Sequence, residues 1–170
     1  AGQIGRADDF DGGDDYLISP KILTQNPIAS YTVYKYKTTT GGQVGLTLSE
    51  GTVRQIYLTW RFSSNENRYA YGTGSSFITT VFSVPDTNQK IGSIFVNSSG
   101  GQANENGALV GTYPASTPLL SNFPINIGRY SGGGLEASIK HQEIVAWESD
   151  KNSEQNAIES LVNSSFNIYP

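Results

Sequence analysis

The stretch GLEASIKHQEIVAWESDKNSEQNAIESLVNSSFNIY, residues 134–169, changes character halfway along. Its first half alternates and carries β-branched and aromatic residues at Ile139, Ile144, Val145 and Trp147, which suits a half-buried strand. Its second half takes up a helical period. Asn152 followed three residues on by Gln155 has the spacing of a capping box, and Ile158, Leu161, Val162 and Ser165 then fall on one helical face. One long strand therefore feeds one short helix. Nothing else in the chain has helical periodicity, so the helix is expected to sit as a lid or plug on the end of a β core.

Working outward, the remaining chain reads as strands separated by turn signals. Residues 28–37 form one strand, and residues 43–48 and 53–62 form an antiparallel pair, with Ile56, Leu58 and Trp60 on one face and Tyr57, Thr59 and Arg61 on the other. A short strand carries Tyr69 and Tyr71. Residues 77–84 form a strand stopped by Pro85, and residues 90–96 are read as its successor across Asp86, Thr87 and Asn88. Residues 98–107 read as a polar Gly- and Asn-rich loop, followed by short strands at 108–113 and around Ile125 and Ile127, the last closed by Gly128. Strands at this spacing without intervening helices predict two packed antiparallel sheets rather than βαβ units. The expected fold is all-β, an antiparallel two-sheet β-sandwich with one short C-terminal helix, and residues 1–170 form a single domain.

Composition agrees with an all-β chain. Apolar residues make up 36%, aromatics 11% and charged residues only 15%, with 19 Gly, 10 Tyr and 7 Phe; this is too aromatic for disorder and rich in turn formers. There is no Cys, which excludes disulfides, thiolate metal sites and thiol catalysis. A formal net charge of -4 gives no electrostatic footprint for nucleic acid, and no segment approaches the length of a membrane span.

Residues 6–19, RADDFDGGDDYLIS, read as a hairpin with a Gly-Gly turn and a second strand starting at Tyr16. Asp9, Asp11, Asp14 and Asp15 crowd it. Clustered carboxylates suit a calcium ion, of which at most one is expected here, although the spacing is not that of an EF-hand loop. The other reading, placed first, is that Asp accepts the geometry of tight turns. A second candidate site is a sugar platform of Trp60, Arg68, Tyr69 and Tyr71, since aromatic rings stack on apolar sugar faces while polar neighbours meet the hydroxyls. The alternative for those residues is ordinary cross-strand packing.

Several segments, taken in order, resemble laminin-G-like, concanavalin A-like jelly-roll domains: FDGGDDYL at 10–17, DTNQK at 86–90, FVN at 95–97, NGALV at 106–110, INIG at 125–128 and EIVAWESD at 143–150, with the ending FNIY at 166–169. The closing strand and helix are similar to those of such domains in phage virion proteins and in secreted proteins of marine bacteria. The resemblance covers almost the whole chain. It implies a non-catalytic module on a virion surface, in a tail fibre, tail-associated or capsid-decoration protein, acting by adhesion or assembly. Its expected partners are other virion proteins, its own copies as a homo-oligomer, and a cell-surface glycan. The alternative is a carbohydrate-binding module of a secreted, extracellular bacterial protein, and a third reading is a diverged polysaccharide lyase or glycoside hydrolase.

Catalysis finds little support in the residues. A retaining glycosidase needs two carboxylates about 5 Å apart. Glu143 and Glu148 are separated by an odd number of residues, so on a regular strand they point to opposite faces. The single His, His141, is expected as a partly exposed structural residue near a sheet edge. No nucleophile elbow is present, and the chain reads as no enzyme.

Overall fold

A computed structural model of the chain describes residues 8–23, 28–38, 43–50, 54–62, 66–72, 77–83, 86–115, 123–129 and 137–170, with side chains described at 9–18, 29–38, 86–115, 126–129 and 137–170. Among the described residues there are two antiparallel six-stranded sheets. The first runs β1 (Asp8–Asp11), β12 (Ser138–Trp147), β3 (Ile28–Tyr36), β8 (Lys90–Asn97), β9 (Gly100–Glu105), β10 (Ala108–Tyr113). The second runs β2 (Leu17–Leu23), β11 (Phe123–Ile127), β4 (Gln43–Glu50), β5 (Arg54–Phe62), β6 (Glu66–Gly72), β7 (Phe77–Ser83). One helix, α1 (Gln155–Phe166), follows β12 through a short 3-10 turn at Asn152–Glu154. The two-sheet antiparallel sandwich with a short C-terminal helix is thus the observed architecture.

Alternation along β3 shows which side of the first sheet is which. Tyr34 and Tyr36 pack with Phe10, Ala137, Ile139 and, from the second sheet, Ile127, so this is the face between the sheets. Tyr31 and Val33 point the other way, where they join Ile91 of β8 and Val162 of α1, with Val145, Trp147, Ile158, Phe166, Ile168 and Tyr169 around them. A sheet face that would otherwise meet water is dried by the helix. The Tyr31 and Trp147 rings lie 5.8 Å apart at a 45° tilt beneath it. Their burial, with the Glu143 charge as a smaller contribution, pushes the Tyr31 hydroxyl up to about 12.

Several expectations are corrected. Residues 6–19 are not a hairpin: β1 pairs with β12 in one sheet and β2 with β11 in the other, so residues 12–16 carry the chain across the sandwich. In the same way β7 and β8 are not paired successors but lie in different sheets. The polar stretch read as a loop contains β9, whose Gly101 is required because a Cβ there would overlap the Phe95 carbonyl oxygen. The helix covers a sheet face rather than plugging an end. Nor does the capping box form: no side chain caps the helix, and Gln155 turns down onto the sheet instead. Leu161 faces solvent, 69% exposed, while Val162 is buried.

Gln155 and Glu159 show why the helix seats where it does. Glu159 accepts hydrogen bonds from Ser93 Oγ, from Gln155 Nε2 at 3.2 Å and from Asn104 Nδ2 at 3.2 Å, and Gln102 Nε2 donates to Gln155 Oε1. A carboxylate under a helix is tolerable because neutral donors of β8, β9 and its own helix surround it. The end of the helix is fixed as well: Asn167 takes the left-handed conformation (φ 50°) and Asn163 Oδ1 accepts from the backbone of Ile168 and Tyr169.

Val162→Ala is expected to destabilise the protein by about 2 kcal/mol in urea unfolding, whereas Leu161→Ala should change stability by less than about 0.5 kcal/mol. Because the folded Tyr31 pKa lies above the unfolded value of about 10, its contribution is complete below pH 10 and lost as pH rises toward 12. Tyr31→Phe should flatten the fall in stability measured by denaturation across that interval.

Candidate functional site

The crossover from β1 to β2 gathers exposed polar and aromatic groups at the rim of the sandwich. Gly12, at φ 88°, turns the chain out of β1 in a conformation other residues rarely adopt. The Gly13 N–H then donates to Asp11 Oδ1 at 2.7 Å, and the Asp11 N–H to Asp15 Oδ2 at 3.2 Å. Asp11 and Asp15 therefore serve the turn geometry expected of them. The same fold also brings carboxylate oxygens of Asp11, Asp14 and Asp15 within 4.8 Å of one another, all three residues exposed. Oxygens on opposite sides of a calcium ion bonded at 2.3–2.6 Å lie about 5 Å apart, so the spacing fits a hard cation. Asp9 stands apart from this trio, pairing with Lys37 Nζ at 2.7 Å and Lys140 Nζ at 3.1 Å. Those two ammonium groups, Lys37 first, hold its carboxyl below the usual range.

Next to the trio, Tyr16 is 43% exposed and its ring is backed by Arg129, whose guanidinium carbon lies 3.2 Å from the ring centroid. Leu17 and Ile18, the first residues of β2, are exposed as well. A cleft of about 200 Å³ opens between Asp9, Phe10, Asp15, Tyr16 and Leu17. Its floor is rigid: Phe10 is buried on the inner face, and Gly128 (φ 84°) closes β11 directly against it. A Cβ at Gly128 would lie 2.6 Å from Phe10 Cδ1 and 3.1 Å from the Asp15 carbonyl oxygen. Arg129, the next residue, was not foreseen, because nothing local in the sequence pairs position 129 with position 16.

Trp60, Arg68, Tyr69 and Tyr71 fall on β5 and β6. The register sets Trp60 opposite Arg68, Tyr71 opposite Ile56, and Tyr69 opposite Thr80 of β7, and a register shift separates Tyr57 from Trp60. The side chains of these four residues lie outside the described residues. His141 departs from expectation: β12 is flanked by β1 and β3, and the ring is 2% exposed, with Nδ1 2.9 Å from Thr32 Oγ1. Phe10 meets it edge-on at 6.1 Å. Beside it in the core, Glu105 accepts from Lys90 Nζ at 2.9 Å and from the Tyr34 hydroxyl at 3.1 Å. Burial pushes the Glu105 carboxyl up, and Lys90 pulls it back.

No protein-family model matches the sequence, nor does any curated protein. Solved structures do share the fold. Domain 4 of an extracellular GH43 arabinanase from Geobacillus stearothermophilus, in complex with arabinotriose, aligns at a TM-score of 0.70 and 13% identity over 93% of this chain and 78% of that one. The CBM40 domain of the Ruminococcus gnavus IT-sialidase, bound to α2,3 sialyllactose, aligns at 0.64 and 12% identity over 80% and 83% of the two chains. The mouse laminin α1 chain, domains LG4-5, aligns at 0.63 and 14% identity over 83% of this chain and 40% of that one. What this chain shares with them is the concanavalin A-like jelly-roll sandwich, so the expected laminin-G-like resemblance is met at the level of fold.

Gly128→Ala is expected to cost more than about 1 kcal/mol, because it combines a positive φ with a collision at the Phe10 ring. Thermal unfolding of the variant measures this.

Proposed function

We propose that the chain is one non-catalytic, extracellular glycan-binding domain whose sugar site is the rim at the β1–β2 crossover. The single observation that carries this reading is the Tyr16 ring, half exposed in the lining of a cleft and stacked by the Arg129 guanidinium 3.2 Å from its centroid. A fixed, partly desolvated ring offers stacking to a sugar face at little entropic cost, and the neighbouring carboxylates can accept from hydroxyls. The fold supports the reading, since one similar domain was solved with arabinotriose and another with sialyllactose. Tyr69 and Tyr71, at alternate positions of β6, are proposed as a further platform for a longer oligosaccharide, whereas Trp60 and Arg68, opposite each other in the register, fall at the other parity and are not part of the same platform. Asp11, Asp14 and Asp15 are proposed to hold one calcium ion that stiffens the rim. Adhesion on a virion surface, with other virion proteins or further copies as partners, is the second reading; it is favoured by the closing segment from Glu143 to Asp150 and is tested by mass spectrometry of purified virions.

A glycan array followed by calorimetry with arabinotriose and sialyllactose tests the first reading. Binding to at least one glycan is expected, weakened about tenfold or more by Tyr16→Ala. A protein that binds no glycan with calcium present would overturn it. For calcium, excess metal about a hundredfold above Kd contributes about 2.7 kcal/mol, which for a chain of this size raises the melting temperature by several degrees. Asp14→Asn should abolish that shift, and equal melting temperatures in calcium and EDTA would remove the ion from the account.

A further inference from the structure

Beyond the part covered by α1, the outer face of the first sheet carries the exposed Lys35 and Lys37, and we infer that this half of the face is an anion site for the carboxylate or sulfate ester of an acidic polysaccharide. The helix covers this face as far as the row of Val33 and Ile91. Beyond that row stand Lys35, Lys37 and Lys140. Lys35 and Lys37 are two residues apart and so share a face, and Lys140 lies directly opposite Lys35 in the β12–β3 register. Like charges placed opposite, with Cβ atoms about 5 Å apart, destabilise a sheet unless something neutralises them. Asp9 answers Lys37 and Lys140. Among the described residues no carboxylate lies within ion-pair distance of Lys35, which is exposed. Among the described residues Asp9 is thus the one carboxylate paired with this group of three lysines, and it meets two of them, on a chain whose formal net charge is -4.

A second, independent feature lies at the same place. A cleft of about 160 Å³ is lined by Tyr34, Lys35, Gln89, Lys140 and Gln142, room for roughly five water molecules. The register of β12 against β3 slips between His141 and Glu143, so Gln142 is an extra residue at a bulge, the kind of irregularity that re-aims side chains beside functional sites. Gln89 Nε2 donates to Gln142 Oε1 across β3, joining the two amides into one wall. Ammonium groups meet an anion and primary amides meet hydroxyls, which together is the donor set of an acidic sugar. A neutral sugar would leave the Lys35 charge without a carboxylate partner among the described residues. Glu143 lies one row further in, opposite Val33. The site contains neither Tyr16 nor any residue proposed for calcium, and it touches the rim cleft only through the ion pairs of Asp9.

The test is calorimetric titration of the intact chain with three probes: a tetragalacturonate, a sulfated galactose tetrasaccharide and neutral cellotetraose. At least one of the two acidic probes should bind more tightly than the neutral one, and which of the two it is identifies carboxylate or sulfate ester as the source. The double variant K35A/K140A should weaken that binding about tenfold or more, while K151A leaves it unchanged. Raising salt from about 0.01 M to about 0.15 M should weaken it as well, since the Debye length shortens from about 30 to about 8 Å. The variant's melting temperature, expected to be equal or higher because a like-charge pair is removed, confirms that it is folded. Acidic probes bound no better than cellotetraose, or equal affinity in folded K35A/K140A, would overturn the site. Because K35A/K140A removes neither Tyr16 nor the Arg129 that backs it, and Asp9 keeps Lys37 as a partner, failure here is distinguishable from failure of the rim as a sugar site.

Discussion

The seating of α1 on β8 and β9 is the interaction on which the rest of the molecule depends. A β-sandwich has a natural core between its sheets, but here the first sheet is apolar on its outer face too, at Tyr31, Val33, Ile91 and Val145. Leaving those side chains in water would waste their burial energy, about 25 cal/mol for each Å² of apolar surface. The helix covers them with Val162, Ile158 and Phe166. Its register is set by the polar contacts, because Glu159 and Gln155 are satisfied only where Ser93, Asn104 and Gln102 meet them. A helix displaced by one turn would bury a carboxylate without donors, at a cost larger than most single packing contacts.

Two consequences follow for the surface. The same face divides into a dry half under the helix and a wet half carrying Lys35, Lys37 and Lys140. At the rim, the chain must cross from one sheet to the other at residues 12–16, and Phe10 pressed against Gly128 fixes where it crosses. Asp11, Asp14, Asp15 and Tyr16 are therefore displayed on a short connection anchored at both ends by strands. A rigid scaffold presenting chemically varied loops is the usual arrangement for recognition sites.

Much of the fold was legible because burial on one side of a strand imposes a period of two. That pattern located the strands around Val33, Leu58, Phe95 and Trp147, and the change of period after Asp150 located the helix. What failed did so where tertiary partners decide. β9 reads as a polar loop because Gln102 and Asn104 face Gln155 and Glu159 rather than apolar neighbours. A Gly-Gly turn between two strands looks the same whether it closes a hairpin or crosses between sheets, so the β1–β2 connection was misread. Gln155 had the spacing of a capping residue, yet it bonds to the sheet beneath. Leu161 is as apolar as Val162, and the inward stripe of α1 instead runs through two polar residues, Gln155 and Glu159. At the site, the carboxylates were legible by their crowding. Arg129 was not, since it reaches Tyr16 only through the pairing of β2 with β11.

Native-state hydrogen exchange of the α1 amides tests the central claim most directly. If the helix is an integral cover of the first sheet, amides from Ile158 to Phe166 should be protected to nearly the same free energy as those of β3 and β8, both opening only on global unfolding. Exchange of α1 at rates close to those of an unfolded segment, with β3 and β8 still protected, would contradict it and would leave the outer face of the sheet undivided.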